Sequence, residues 1–143
     1  MAFKCVQGKT KIMYYPVTAS TAIAANYLVA WSSNKLIAAT STSAAKDIAG
    51  VLVKAIAATD SDYATERLVA VRVPVEAYTV WEADVTASLV AADIGLFQDL
   101  TNGGTVNRAA STYDIVQCIK VLSTTKGLFH LNIGNAGQAS VTA

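Results

Sequence analysis

Leu68-Val69-Ala70-Val71-Arg72-Val73-Pro74-Val75 is the stretch of sequence that decides the fold class. Valine stands at every second position, so the four valines lie on one face of a strand and Ala70 and Arg72 on the other. Pro74 cannot donate a hydrogen bond to a neighbouring strand, so this strand reaches a sheet edge or ends there. The stretch therefore predicts a half-buried β-strand, followed after a bend by a second apolar segment over residues 78–81.

Two hairpins are predicted on either side of this strand. Residues 27–31 and 35–38 are apolar and are separated by three polar residues typical of a turn. Residues 113–122 and 128–133 flank a five-residue loop that ends at Gly127, which is able to take a positive φ. Both patterns indicate neighbouring antiparallel strands.

Helical patterns are short and few. Residues 42–49 are alanine-rich without a sustained helical stripe, and residues 88–93 begin with Ser88 as an N-cap and stop before Gly95. A further strand is predicted over residues 51–56. Strands joined by short loops predict a mainly β fold: an antiparallel β-barrel or β-sandwich with one or two short helices.

The composition favours an assembly component over an enzyme. The chain has 143 residues, which suggests one domain, and 53% of them are hydrophobic while 15% are charged. Ordinary soluble domains carry about 25% charged residues, so the ionised groups are too few to coat a fully solvated surface. A net charge of +1 argues against direct binding of nucleic acid, which requires a basic face.

The chain is expected to divide into an N-terminal arm with a first strand (residues 1–26), a β-barrel domain (27–133) and a flexible C-terminal tail (134–143). Residues 1–11 are polar and basic, so we expect them to be mobile in the isolated chain and to become ordered on a partner. Lysines can dock an acidic surface and tyrosines anchor interfaces. The predicted partner contacts are Lys4, Lys9, Lys11, Tyr14 and Tyr15.

Residues 12–34 carry no charge and are long enough for a membrane helix. Pro16, several polar side chains and much alanine make this a poor membrane span, so no membrane partner is expected. A signal peptide is the alternative, since lysines precede the apolar run and Ala22-Ile23-Ala24 resembles a cleavage site. The polar residues that interrupt the apolar run argue against a signal peptide.

Each side chain that could take part in catalysis or bind a metal also has a purely structural interpretation. His130 falls in the last predicted strand without a local catalytic motif, so we expect it to face solvent or a partner. Asp60-Ser61-Asp62 could supply calcium ligands, but Thr65 and Val71 occupy the positions where a calcium loop has glycine and glutamate. A turn in which the aspartates cap backbone amides is favoured. No catalytic residue, metal or cofactor is predicted.

Cys5 and Cys118 lie far apart in the sequence and show no motif spacing. A disulfide between them remains an alternative, but two isolated buried thiols are favoured.

The order of segments in the middle of the chain resembles the small capsid decoration (cement) proteins of tailed bacteriophages. The resemblance covers residues 27–133 and depends on the strand order together with Gly50-Val51, residues 60–64, Asp84-Val85 and Asp93-Ile94-Gly95. It implies a compact antiparallel β-barrel or β-tulip-like domain with one or two short helices. It also implies a homotrimer that binds the outer surface of an expanded capsid and bridges major capsid protein subunits. The implied location is the virion, after synthesis in the host cytoplasm.

Three alternatives remain open. A head–tail connector or tail-associated protein would have a similar composition. A barrel that binds a small ligand or glycan could use Trp31, Trp81 and nearby tyrosines. Hydrolysis of glycosides would require paired carboxylates, for which Glu76, Glu82 and Asp84 are the candidates.

Overall fold

The computed structural model describes residues 2–76, 78–86 and 88–132, so the predicted tail at 134–143 lies outside the described residues. Eleven strands follow one another in this part of the chain: β1 (Lys4–Gln7), β2 (Thr10–Pro16), β3 (Leu28–Ser32), β4 (Lys35–Ala38), β5 (Ile48–Leu52), β6 (Leu68–Pro74), β7 (Val80–Thr86), β8 (Phe97–Asn102), β9 (Thr105–Asn107), β10 (Val116–Ser123) and β11 (Lys126–Leu131). The prediction of a mainly β fold with a barrel is confirmed.

Both predicted helices are single 3₁₀ turns, Ala45–Asp47 and Ala91–Asp93. The first is shorter than predicted because Ile48 and Ala49 belong to β5, a strand buried along its whole length. Burial between two neighbouring strands overrides the helical preference of alanine there. Among the described residues, none of the helical segments has the length and apolar character needed to cross a membrane.

Five strands close into a barrel in the order β7-β11-β10-β8-β9. The closing pair is parallel, with Asp84 opposite Thr105 and Thr86 opposite Asn107, whereas the other pairs in the ring are antiparallel. The predicted antiparallel pattern therefore holds except at this seam. The parallel pair is three residues long because β9, which follows the tight β8–β9 turn, has only three residues.

The remaining strands form a second sheet in the order β2-β6-β5-β3-β4. A bridge between Val17 and Leu36 brings the end of β2 against β4, so this sheet curls around its own apolar cluster. Val69, Val71 and Val73 all point into that cluster, which confirms the predicted valine face within β6. Val75 does not share it, because it lies after the end of the strand and is 38% exposed.

The two sheets share a larger apolar core. Leu28, Ile48 and Val51 from the second sheet pack with Trp81 and Phe129 from the barrel. Strands β3 and β5 are therefore covered on both faces, by the barrel on one side and by the curled sheet on the other. This double coverage explains why they are apolar without alternation.

The N-terminal segment differs from the mobile arm that its composition suggests. Strand β1 pairs with β7, where Lys4 lies opposite Glu82, and Phe3 is fully buried in the core. The Phe3 backbone N–H also donates to the Asn26 carbonyl over 2.9 Å. Phe3 and Cys5 alternate with the exposed residues Lys4 and Val6, and two inward positions are enough to hold so short a strand against the barrel.

The hairpins follow the predicted pairing, but both loops are shorter than predicted. In β3–β4, Ser33 and Asn34 have positive φ values and form the two-residue turn. In β10–β11, Ser123 lies opposite Lys126, so the loop is also two residues long and Gly127 is part of β11. Gly127 has no positive φ; it leaves room for Leu89, because a Cβ there would lie 2.7 Å from Leu89 Cδ2.

Candidate functional site: an exposed apolar sheet face

Strands β2 and β6 present apolar side chains to solvent on the side opposite the valine cluster. Tyr14 lies opposite Ala70 in the register, and both Tyr14 and Leu68 are 64% exposed. Ile12 and Val53 are also exposed, and the Val53 backbone N–H donates to the Ala70 carbonyl over 3.1 Å, which continues the sheet. We call Ile12, Tyr14, Val53, Leu68 and Ala70 the β2–β6 face.

The barrel covers only part of this side of the second sheet. Val51 lies opposite Arg72 in the β5–β6 register and is buried in the shared core. The β2–β6 face is the continuation of the same side beyond the barrel, where nothing among the described residues covers it. Contiguous exposed apolar side chains on a sheet mark interaction sites.

A charged recess borders the face at its Leu68 end. Its volume is about 390 Å³, and Lys54, Asp60 and Arg67 contribute to its lining. An apolar centre with a charged border is the usual anatomy of a protein–protein interface.

The predicted tyrosine contacts separate onto opposite sides of β2. Tyr14 lies on the β2–β6 face, whereas Tyr15 turns inward and packs on Trp31, with 4.8 Å between the ring centroids. Strand alternation requires this division, because adjacent residues cannot both face the same surface.

The predicted lysine contacts are all exposed but lie outside the face. Lys4 is on β1, Lys9 follows it in a turn, and Lys11 is on β2 opposite Val73. The Lys9 backbone N–H donates to Glu76 Oε2 over 2.9 Å, which fixes the β1–β2 turn. Leu68 and Val53 were not singled out by the sequence, although a leucine at the start of the non-valine face of β6 is the signal that indicates them.

A second apolar surface surrounds the 3₁₀ turn at Ala91–Asp93. Val90, Ile94 and Leu96 are all about half exposed, and Ala91 and Ala92 are exposed with them. We call residues 90–96 the apolar loop. Its one charged residue, Asp93, is buried.

Asp93 holds the apolar loop in place. Its Oδ2 accepts hydrogen bonds from the Val90 backbone N–H over 2.8 Å and from Arg108 Nε over 3.0 Å. Burial opposes ionisation of the carboxyl group, but the bonds from Arg108 and Val90 outweigh it and lower the pKa of Asp93. The loop therefore presents its apolar side chains in a fixed conformation.

We expect Asp93→Asn to lower the unfolding free energy by about 1 kcal/mol at pH 7, because a charge-assisted pair becomes a neutral one. Since the pKa is lowered in the folded state, this stabilisation exists above about pH 4 and disappears as the pH falls further. In urea unfolding, the difference between the two proteins should therefore be constant above about pH 4 and shrink as the pH falls below it. A gap that keeps its size below about pH 4 would show that the Asp93 charge contributes nothing.

The Asp60-Ser61-Asp62 segment is a turn, as predicted, but its carboxylates have an additional partner. Asp60 Oδ2 accepts the Ala57 backbone N–H over 3.0 Å and Arg67 Nη2 over 2.8 Å, and Arg67 also bonds Asp62. These bonds lower the pKa of Asp60. Arg67 thus closes the long β5–β6 connection.

The three carboxylates considered for glycoside hydrolysis differ in their positions and bonding partners. Asp84 accepts a 2.6 Å hydrogen bond from Lys126 Nζ on β11, which raises the pKa of Lys126. Glu82 shares a face of β7 with Asp84, while Glu76 lies before that strand and bonds the β1–β2 turn. Among residues 2–76, 78–86 and 88–132, no group of three or more acidic, histidine or cysteine side chains is placed to hold a metal ion.

The aromatic side chains do not converge on one platform. Trp81 is fully buried in the shared core, and Trp31 packs on Tyr15 at the other cluster. Tyr78 is exposed and meets the ring of His130 edge-on at 5.4 Å. His130 is half-buried, and its Nδ1 lies 3.2 Å from the Thr79 carbonyl.

Cys5 and Cys118 are both free, as favoured from the sequence. Cys118 is buried in the core, where burial raises the pKa of its thiol and keeps it neutral. Cys5 is half-buried beside the same core rather than fully buried.

No protein-family model and no curated protein matches the chain. A functional assignment therefore depends on the surfaces described above and on the resemblance of the sequence.

Proposed function

We propose that the protein is a structural virion component: a capsid decoration protein that binds the outer surface of an expanded capsid and bridges major capsid protein subunits. Its copies would be homotrimers and would act without catalysis, metal or cofactor. The β2–β6 face is the observation that carries the proposal, because a rigid sheet with Tyr14 and Leu68 in solvent gains free energy when another protein covers it.

The mechanism is mass action on the assembled shell. A protein that binds the expanded shell and not its separated subunits stabilises the shell, and many copies add their contributions against the pressure of packaged DNA. A charge-poor exterior suits a surface that neighbours cover on more than one side. The apolar loop supplies a second such surface, far along the sequence from the first.

A barrel that binds a ligand inside is less favoured. Trp81, Phe129, Leu100 and Leu131 are all buried in the barrel's core, so protein side chains occupy the place that a ligand would need. A head–tail connector would use similar surfaces. Copy number separates these two roles, since decoration predicts hundreds of copies per particle and a connector about a dozen, on the symmetry of such particles.

The test uses expanded heads assembled without this protein. We expect the double substitution Tyr14→Ser, Leu68→Ser to weaken binding to these heads at least tenfold, because two large apolar side chains are lost from the contact. Cosedimentation and heat resistance of the refilled heads are the measurements. Tyr78→Ser is the matched control, since Tyr78 is 68% exposed but lies outside the face.

Heads that bind the double variant as tightly as the unaltered protein would exclude the β2–β6 face as the contact. Heads that neither bind the unaltered protein nor gain heat resistance from it would exclude the decoration role itself.

A further inference from the structure

A groove of about 390 Å³ separates the second sheet from β1 and the barrel, next to the β2–β6 face. Val51 and Val53 line one side, and Phe3 and Trp81 line the other. Phe3, Val51 and Trp81 are at most 2% exposed and form the floor of the groove, whereas Thr10, Val53 and Arg72 line it where solvent reaches. We call this cleft the Arg72 groove.

Arg72 differs from the other two arginines of the chain. Arg67 bonds Asp60 and Asp62, and Arg108 bonds Asp93. Arg72 is half-buried, and its Nη1 donates to the Thr10 hydroxyl over 3.2 Å. Within the described part of the chain, no carboxylate forms an ion pair with Arg72.

Arg72 has donors that no described carboxylate occupies. A guanidinium has five N–H donors in a planar fork, and a carboxylate can accept two of them side by side. The Thr10 hydroxyl accepts from Nη1 of Arg72, so the other donors of the guanidinium can bind a carboxylate that enters the groove. Lys4 also borders the groove, but it lies opposite Glu82 in the β1–β7 register, so its charge already has an acidic neighbour.

The groove therefore offers the single charge of Arg72, which has no acidic residue opposite it in the strand register because Ile12 and Val51 lie there. Exposed apolar side chains, Ile12 and Val53, lie beside it. That combination matches a carboxylate, with a single negative charge, better than a phosphate, which draws on more donors and charges. The walls continue into the β2–β6 face, where Val53 belongs to both surfaces. An extended segment of protein, apolar apart from one acidic side chain, has the chemistry to fill both.

We propose that the Arg72 groove binds the side-chain carboxylate of an aspartate or glutamate on an otherwise apolar segment of the partner protein. This inference rests on the proposed function, because it names the chemistry of the partner that covers this side of the molecule. Arg72 would anchor the acidic side chain, and the β2–β6 face would receive the apolar residues next to it.

The experiment needs no heads. The probe is the peptide acetyl-Val-Ala-Glu-Ala-Val-amide, titrated into the full-length protein at low salt while the Arg72 Nε–H resonance and backbone amides along the groove are followed by NMR. We expect saturable shifts at the groove and at least tenfold weaker binding of the peptide in which glutamine replaces glutamate.

Two variants complete the test. Arg72→Met should weaken binding of the glutamate peptide at least tenfold and abolish the difference in affinity between the two peptides. Lys11→Met is the control, since it removes the same charge from the adjacent strand on the opposite face and should leave binding unchanged. The peptide comparison on the unaltered protein stands even if a variant is poorly folded.

Equal binding of the two peptides, or absence of shifts at the groove, would overturn the inference. So would saturation of the groove by inorganic phosphate at concentrations where the glutamate peptide does not bind. These results leave binding to heads unaffected, so a failure here is distinct from a failure of the proposed function.

Discussion

Asp99→Ala is expected to lower the unfolding free energy by about 3 kcal/mol or more, since hydrogen bonds to a buried charged group contribute about 1.5–3 kcal/mol each and do not add fully. Asp99 is 3% exposed and lies on β8. Its carboxylate accepts hydrogen bonds from the backbone N–H groups of Thr112, Tyr113 and Asp114, at 3.0, 2.7 and 2.8 Å. The variant leaves all three donors without this acceptor.

Urea unfolding measures this effect, and hydrogen exchange at residues 112–114 localises it. The unfolding free energy of Asp99→Asn should lie between those of Asp99→Ala and the unaltered protein, because the side-chain carbonyl oxygen of asparagine still accepts one or two hydrogen bonds. Asp47→Ala is the control: it removes an exposed carboxylate that bonds only its neighbour Lys46, and a surface pair of this kind is worth about 0–1 kcal/mol. A loss below 1 kcal/mol for Asp99→Ala would mean that water replaces the carboxylate.

Gly50→Ala is the second substitution with a large expected cost, about 3 kcal/mol. Gly50 has a φ of +151°, and a Cβ there would lie 2.6 Å from the Arg72 carbonyl oxygen. The backbone strain accounts for about 1–2 kcal/mol and the forced overpacking for about 1–3 kcal/mol. The Arg72 carbonyl belongs to the main chain and cannot rotate away as a side chain can. The added methyl group of alanine must therefore push β5 and β6 apart locally.

Gly95→Ala provides a matched comparison for Gly50→Ala. Gly95 also has a positive φ, +91°, but a Cβ there meets nothing within 4 Å. This variant should therefore show the backbone cost alone, about 1 kcal/mol. Thermal unfolding of both variants separates strain from contact, and equal losses at the two sites would show that the Arg72 carbonyl moves aside without cost.

The sequence predicted the parts of the fold that depend on local alternation. The valines of β6 and the β3–β4 turn follow from side-chain period and turn chemistry, which neighbouring residues decide. The parallel seam between β7 and β9 could not be predicted, because it joins strands whose registers are set by the whole ring. Lys4–Gln7 was missed as a strand because its pairing partner lies far along the chain.

Of the five residues predicted as partner contacts, only Tyr14 lies on the candidate face. A charge-poor composition indicated a covered exterior, and Tyr14 lies on the exposed apolar face. Tyr15 could not share that face once residues 10–16 became a strand. The significance of Arg72 depends on which carboxylates the fold gives to Arg67 and Arg108, and no local pattern contains that information.

Strand β7 is bordered by β1 along its first half, by β9 along its second half and by β11 on its other side. Its assembly must therefore wait until segments from the beginning, middle and end of the described chain have all emerged from the ribosome. Topologies dominated by such distant pairings fold in milliseconds to seconds rather than microseconds. During synthesis, residues 4–7 would remain without their partner strand, and a nascent chain stalled before residue 80 should be open to proteolysis near its start.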